Sequence, residues 1–278
     1  MLAIKAAAWW ITGSAALFSD ATETVVNVAA GLLAFAALRF GARPADENHP
    51  FGHDKAEFFA AVVEGVLIIV ASLSILLHAW QVWRDPLPIE RPVFGLTLTA
   101  VASVLNLAWA LVLLRSGGRL RSPALVADGQ HLASDVVTSA ALIAGVVLVV
   151  ATGRLWLDPL LAVAAALYIL ASGLLVVRNS VSGLMDAAPA PAVVERIRAL
   201  VASHAEGAIE AHDLRTRHAG RLTFLEFHLV VPGAMSVSAA HAICDRLEAV
   251  LRTDMDGLVV TIHVEPDDKA KHHGVLVI

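Results

Sequence analysis

Residues 21–40 read ATETVVNVAAGLLAFAALRF, and residues 123–151 read PALVADGQHLASDVVTSAALIAGVVLVVA. Both stretches are long and apolar, yet each carries two polar residues four positions apart: Glu23 with Asn27, and His131 with Asp135. Residues at i and i+4 lie on one face of a helix, about one turn apart. One ionised side chain in mid-membrane costs about 2.5–3.5 kcal/mol on insertion scales, so these residues predict a cation pathway.

The composition places the chain among membrane proteins. It has 58% hydrophobic and 16% charged residues, against about 45–50% and about 25% in a typical soluble domain. The net charge of −5 gives no reason to expect nucleic-acid binding. The lone Cys244 excludes a cysteine-based metal cluster, so metal ligands must be His and carboxylate. No charged segment with a cleavage site precedes the first apolar run, so we expect no removable signal peptide.

The sequence predicts an α-helical bundle of six transmembrane helices, because six apolar segments are long enough to cross about 30 Å of hydrocarbon. They lie near residues 2–18, 21–40, 56–83, 93–114, 123–151 and 155–177. Only Ser19 and Asp20 separate the first two segments, and we expect Asp20 to cap the second helix.

The positive charges predict the orientation in the membrane. One side would carry eight of them: Lys5, Arg39, Arg43, Lys55, Arg115, Arg119, Arg121 and Arg178. The other side would carry three: Arg84, Arg91 and Arg154. We therefore expect both termini on the cytoplasmic side of a cell inner membrane.

The C-terminal part mixes charged and apolar residues as a soluble domain does. Its pattern predicts a helix at 191–204, strands at 211–217 and 222–231, a helix at 236–252 capped by Ser236, and a strand at 258–264. This αββαβ order predicts an α+β domain with a three-stranded sheet. We expect a transmembrane domain at 1–186, a cytoplasmic domain at 187–268 and a tail at 269–278.

Two further groups of residues could bind metal. The loop residues Asp46, His49 and His53 could close around one ion, or belong to an ordinary solvated loop. The C-terminal part holds His212, His228, His241, His263 and Glu265. His263 and Glu265 share one face of a strand and could hold one ion, although surface histidines are also common. Asn27 could likewise be a ligand or only an interhelical hydrogen-bonding group.

Together these motifs resemble the cation diffusion facilitator family. The resemblance rests on residues 44–57 (PADENHPFGHDKAE), the His131-x-x-x-Asp135 pair and residues 211–217 (AHDLRTR). It implies a homodimer with six transmembrane helices per protomer and a cytoplasmic metallochaperone-like domain.

The resemblance also implies three sets of metal ligands. The transport set is Glu23, Asn27, His131 and Asp135; the loop set is Asp46, His49 and His53; the cytoplasmic set is His212, His228, His241, His263 and Glu265. It further implies a structural salt bridge between Lys55 and Asp186.

We therefore expect a proton-coupled exporter of divalent metal ions in contact with membrane lipid. Zinc-selective relatives place Asp or His, then Asp, where this chain has Glu23 and Asn27, so the ring carries a formal charge of −2 rather than −3. Zn²⁺ and Fe²⁺ are the first expectations, and Mn²⁺, Co²⁺ and Cd²⁺ are compatible with these ligands. The alternatives are a membrane-anchored metal sensor without transport and an intramembrane zinc hydrolase.

Overall fold

The computed structural model describes residues 1–85, 90–120, 123–271 and 274–276, and the side chains of these residues except 117–120, 123–131, 134, 275 and 276. The N-terminal part forms six helices: α1 Leu2–Thr12, α2 Ala15–Gly41, α3 Ala56–Arg84, α4 Pro92–Leu120, α5 Pro123–Thr152 and α6 Leu157–Leu184. The chain divides into a first unit of Met1–Leu33 and Ala61–Val177, and a second unit of Ala34–Ala60 and Arg178–Ile278.

The boundary between the first two helices lies earlier than the sequence predicted. Gly13 has φ of 66° and ends α1, because a left-handed residue cannot continue the helix. Ser19 and Asp20 therefore lie inside α2, and the prediction that Asp20 caps a helix is wrong. Within the described residues, five helices are long and apolar enough to cross a membrane, whereas α1 has only 11 residues.

Glycines bring α3 and α6 close together within the first unit. A Cβ added to Gly65 would lie 2.6 Å from Cγ2 of Val177 and 3.1 Å from the carbonyl oxygen of Gly173. Small residues of this kind let membrane helices pack backbone to backbone. A side chain at position 65 would therefore require the Val177 side chain and the neighbouring backbone of α6 to shift.

The second unit contains the predicted α+β domain. Its elements are α7 Pro191–His204, β1 Glu210–Ala219, β2 Leu222–Val231, α8 Val237–Asp254 and β3 Leu258–Pro266, followed by a 3₁₀ turn at Asp267–Lys269 and the short strand β4 Val275–Leu276. Strand β2 pairs antiparallel with β1 and parallel with β3. The αββαβ order is confirmed, and Ser236 caps α8 as expected.

A fourth strand extends the sheet beyond the three that the sequence predicted. The sheet order is β3-β2-β1-β4, and β4 pairs antiparallel with the start of β1. A two-residue strand has no alternation to detect, so only pairing with β1 defines it. The two helices cover this sheet through a core of buried apolar side chains that includes Ile197, Phe227, Leu247 and Leu251.

Candidate metal centres

The structure brings α2 and α5 together at the residues that the i,i+4 spacing singled out. Nδ2 of Asn27 donates a hydrogen bond of 3.0 Å to Oδ2 of Asp135. The carboxylate of Asp135 is buried. His131 belongs to α5, but its side chain lies outside the described residues. A side-chain amide and a carboxylate thus meet at one helix crossing, and both carry oxygen atoms of the kind that hard divalent cations bind.

Glu23 borders two pockets in the first unit. One pocket, of about 240 Å³, is lined by Thr138, Leu142 and Tyr168. The other, of about 70 Å³, lies beside Asn27 and Tyr168. The Glu23 carboxylate therefore borders mostly apolar cavities. Glu23 and Asn27 are both on α2. A carboxylate in such a position is a functional-site candidate in a membrane protein.

A second polar layer lies about one helical turn along α2 and α5 from Glu23 and Asp135. The sequence reasoning missed this layer. Nζ of Lys5 is 2.8 Å from Oδ1 of Asp20 and 3.1 Å from Oγ of Ser139, and that hydroxyl donates to the same Asp20 oxygen at 2.7 Å. All three side chains are buried. Lys5 is thus paired inside the first unit and is not a charge of an exposed loop. Seven of the eight positive charges that predicted the orientation remain. The isolated lysine in LAIKAAAWWIT was the available signal.

The loop between α2 and α3 gathers its three predicted residues. Ligand atoms of Asp46, His49 and His53 lie within 4.8 Å of one another. The backbone N–H of His49 donates to Oδ1 of Asp46 at 2.7 Å, and this bond above all lowers the pKa of Asp46. Gly52 has φ of 86°, which a residue with a side chain rarely adopts. His53 is buried, and its Nδ1 has no hydrogen-bond partner in the described chain.

Lys55 and Asp186 lie side by side in the second unit. Nζ of Lys55 is 2.8 Å from Oδ1 of Asp186, and Arg217 reaches the same oxygen at 3.2 Å. Hydrogen bonding from Lys55, and then from Arg217, lowers the pKa of Asp186. Asp186 has φ of 62° and lies two residues beyond Leu184, where α6 ends.

The sheet of the second unit gathers three of its five predicted ligands. Ligand atoms of His212, His228 and Glu265 lie within 4.8 Å of one another. Nε2 of His212 is 3.2 Å and Nδ1 of His228 is 3.1 Å from the Glu265 carboxylate. Neither nitrogen has a hydrogen-bond partner among the described residues, although both are buried. Buried polar atoms are normally satisfied, so the residues fit a metal ion.

The other two predicted ligands lie outside this three-residue cluster. His263 is opposite His228 in the parallel register, but its ring is exposed and its Nε2 is 3.8 Å from Oε1 of Glu265. His241 is on α8, where its exposed ring lies 3.7 Å from the carboxylate of Asp245. The structure therefore separates a buried cluster from two peripheral histidines, which sequence spacing could not distinguish.

Comparison with known families agrees with this architecture. Residues 1–185 match the model of the cation efflux transmembrane domain, and residues 189–267 match the model of the cation efflux protein cytoplasmic domain. The chain belongs to the cation efflux family, as the sequence motifs indicated. It is thus a multi-pass membrane protein of a metal-transporter family, not a member of an enzyme family.

Similar proteins cover almost the whole chain. An uncharacterized transporter of Synechocystis sp. is 40% identical over 274 residues, which span 98% of this chain and 88% of the relative. The cation-efflux pump FieF of Shewanella oneidensis is 32% identical over 266 residues, spanning 96% and 89%. FieF of Escherichia coli is 32% identical over 271 residues, spanning 96% and 88%.

Two of the solved structures that are similar to this chain match its C-terminal part. The zinc form of CzrB, a candidate zinc transporter, is 48% identical and covers 30% of this chain and 96% of its own, with a TM-score of 0.28. The metal-bound C-terminal domain of CzcD from Thermotoga maritima is 30% identical and covers 27% and 87%, with a TM-score of 0.26.

Proposed function

We propose that this protein exports divalent transition-metal ions from the cytoplasm across the inner membrane in exchange for protons. The observation that carries the proposal is the hydrogen bond of 3.0 Å between Asn27 and Asp135, which brings the two polar motifs of α2 and α5 together. Glu23 and Asn27 border one pocket, so the carboxylates and the amide lie along one region of the first unit. We assign Glu23, Asn27, His131 and Asp135 as the transport site.

The chemistry of these groups supports the proposed proton exchange. Metal binds to neutral imidazole and to ionised carboxylate, so metal and protons compete for the same atoms. When the site opens outward, protons displace the ion, and the inward proton gradient supplies the free energy. Histidine is suited to this exchange because it usually titrates near physiological pH. Zn²⁺ and Fe²⁺ are the proposed principal substrates, because the ligands are mostly oxygen with one imidazole.

The sites of the second unit have a proposed regulatory role. We assign Asp46, His49 and His53 to a loop site, and His212, His228 and Glu265, with His241 and His263, to a cytoplasmic site. The protein is proposed to act as a homodimer whose C-terminal domains come together when metal binds. Such regulation requires that metal bind one conformational state more tightly than the other. The Lys55–Asp186 pair would hold the end of the loop that carries the loop site against the segment that follows α6.

Transport is tested in proteoliposomes with an imposed proton gradient. Zn²⁺, Fe²⁺ under anaerobic conditions, Mn²⁺, Co²⁺ and Cd²⁺ would be supplied separately to the native chain and to Asp135→Ala. Thr97→Ala is the matched control, because Thr97 is an exposed polar residue of α4 whose hydroxyl bonds only to the Val93 carbonyl within the described contacts. We expect gradient-dependent flux that Asp135→Ala abolishes and Thr97→Ala retains. Metal binding without flux of any ion would support the sensor alternative.

A further inference from the structure

Glu210 is a buried carboxylate behind the cytoplasmic metal cluster. It lies at the start of β1 and is 1% exposed. Its Oε1 is 3.4 Å from Nδ1 of His212. Residues at i and i+2 of a strand point to the same face, so Glu210 and His212 share one face of β1. Full burial of a carboxylate is costly and calls for a specific partner.

The His212 ring lies between two carboxylates. Its Nδ1 faces Glu210 at 3.4 Å, and its Nε2 faces Glu265 at 3.2 Å. Nε2 therefore points into the cluster with His228, and Nδ1 points away from it. Metal-binding histidines commonly donate their second ring N–H to a carboxylate, which fixes the tautomer and the ring orientation. Nδ1 makes no hydrogen bond of accepted geometry within the described chain, and the Glu210 carboxylate that faces it at 3.4 Å lies where such a partner would be.

The C-terminal strap, which we define as Lys271 and residues 274–276, also contacts Glu210. The backbone N–H of Gly274 donates to Oε1 of Glu210 at 3.2 Å. Strand β4 pairs with Glu210 and Ala211, and Nζ of Lys271 is 2.5 Å from Oδ2 of Asp213. The strap is thus attached to β1 on both sides of His212.

Gly274 fits this position because it lacks a side chain. A Cβ there would lie 2.4 Å from the Ala211 carbonyl oxygen, 2.6 Å from Oε1 of Glu210 and 2.9 Å from Cβ of His212. Two of these neighbours are backbone or Cβ atoms that cannot move independently. A larger residue would therefore force the strap away from Glu210.

We propose that Glu210 is a positioning residue for the cytoplasmic metal cluster and that docking of the C-terminal strap is coupled to metal binding through it. Glu210 orients His212 so that Nε2 is available to the ion, and the Gly274 amide holds Glu210 in place. Linkage is reciprocal: a docked strap raises the affinity for metal, and bound metal stabilises the docked strap. This inference rests on the proposed cytoplasmic site but not on transport.

The test uses hydrogen–deuterium exchange of the full chain in detergent, with free Zn²⁺ set by a chelator buffer. Exchange is followed in peptides from β1 and from the strap. In the native chain we expect Zn²⁺ to slow exchange in both peptides with the same midpoint. Glu210→Ala should raise that midpoint by about 10–100-fold, as loss of a histidine's hydrogen-bond partner does at other metal sites.

Two further variants separate positioning from folding. Glu210→Gln keeps an oxygen that can accept from Nδ1–H and from the Gly274 amide, so it should recover most of the affinity. Gly274→Ala leaves β1 unchanged but displaces the strap, so it should weaken Zn²⁺ binding in the same direction as Glu210→Ala. Glu226→Ala is the control, because Glu226 is an exposed carboxylate on β2.

Several outcomes would overturn the proposal. If Glu210→Ala has the same Zn²⁺ midpoint as the native chain, the positioning role is refuted. If Gly274→Ala has the same Zn²⁺ midpoint as the native chain, the coupling to the strap is refuted. Equal weakening by Glu210→Gln and Glu210→Ala would also contradict the role of the accepting oxygen. Zn²⁺-independent exchange in the native chain would refute the cytoplasmic site itself, whereas flux in proteoliposomes tests transport separately.

Discussion

Nδ2 of Asn27 donates a hydrogen bond of 3.0 Å to Oδ2 of Asp135, across 108 positions of sequence. The bond connects the two helices that carry the polar motifs, and it fixes which face of α2 meets which face of α5. Because the amide donates through nitrogen, its oxygen stays available as a neutral ligand. The pair is therefore both a structural contact and half of the proposed transport site.

Replacing Asn27 by Leu should reduce metal flux by about 10–100-fold, because Asp135 loses the donor that orients it. Asn27→Asp restores an oxygen ligand and adds a negative charge, so it should retain metal binding and make it more sensitive to protons. The measurement is the initial rate of Zn²⁺ uptake by proteoliposomes across a range of pH, with Thr97→Ala as the control. Native rates in Asn27→Leu would mean that the hydrogen bond has no part in transport.

The buried Lys5–Asp20 pair predicts a strong dependence of stability on both partners. Lys5→Met should lower the free energy of unfolding by about 3–5 kcal/mol, because it leaves Asp20 buried without its counter-charge. The double change Lys5→Met with Asp20→Leu should recover most of that loss. Thermal unfolding in detergent measures both effects. Arg198→Met, which removes an exposed pair with Glu195, is the control and should cost at most about 1 kcal/mol.

The Lys55–Asp186 pair predicts a pH-dependent contribution to stability. The pKa of Asp186 is lowered in the folded state, so its contribution is present above the unfolded value of about 3.9 and is lost as pH falls through the lowered folded pKa. Both side chains are partly exposed, so the contribution near pH 7 should not exceed about 1 kcal/mol.

Asp186→Asn should therefore lower the melting temperature slightly at neutral pH, and the difference from the native chain should shrink as pH falls below about 4. Paired thermal melts of the two proteins at each pH give this difference directly. A difference that stays constant with pH would show that the Asp186 charge is not the cause.

The loop cluster predicts one metal ion that can be removed by itself. His49→Ala should lower the Zn²⁺ bound per chain by one, because the cluster then keeps only Asp46 and His53. The pKa of Asp46 is lowered, so protonation of this carboxylate should not limit binding near neutral pH. Equilibrium dialysis with metal analysis measures the stoichiometry. The control is His204→Ala, because His204 ends α7 and is not part of the three-residue metal clusters identified in the described chain. Unchanged stoichiometry in His49→Ala would contradict the site.

Much of the fold was predictable because its signals are local. The helix at Pro191–His204 and the strand at Leu222–Val231 have the bounds that periodicity predicted. The end of α1 was placed wrongly, because the apolar run continues through Gly13 and only the left-handed backbone of that glycine stops the helix. Strand β4 was missed because two residues carry no periodic signal, and β1 supplies its partner.

The sequence by itself determined the class of protein and the positions of the polar and charged residues on its apolar helices. Hydrophobic length and i,i+4 spacing are properties of neighbouring residues, so they identify membrane helices and polar faces without knowledge of packing. The tertiary structure decided the partners. It paired Asn27 with Asp135, buried Lys5 against Asp20, and placed Glu210 and Gly274 behind His212. These contacts join residues far apart in the chain, and only packing in three dimensions determines which distant side chains meet.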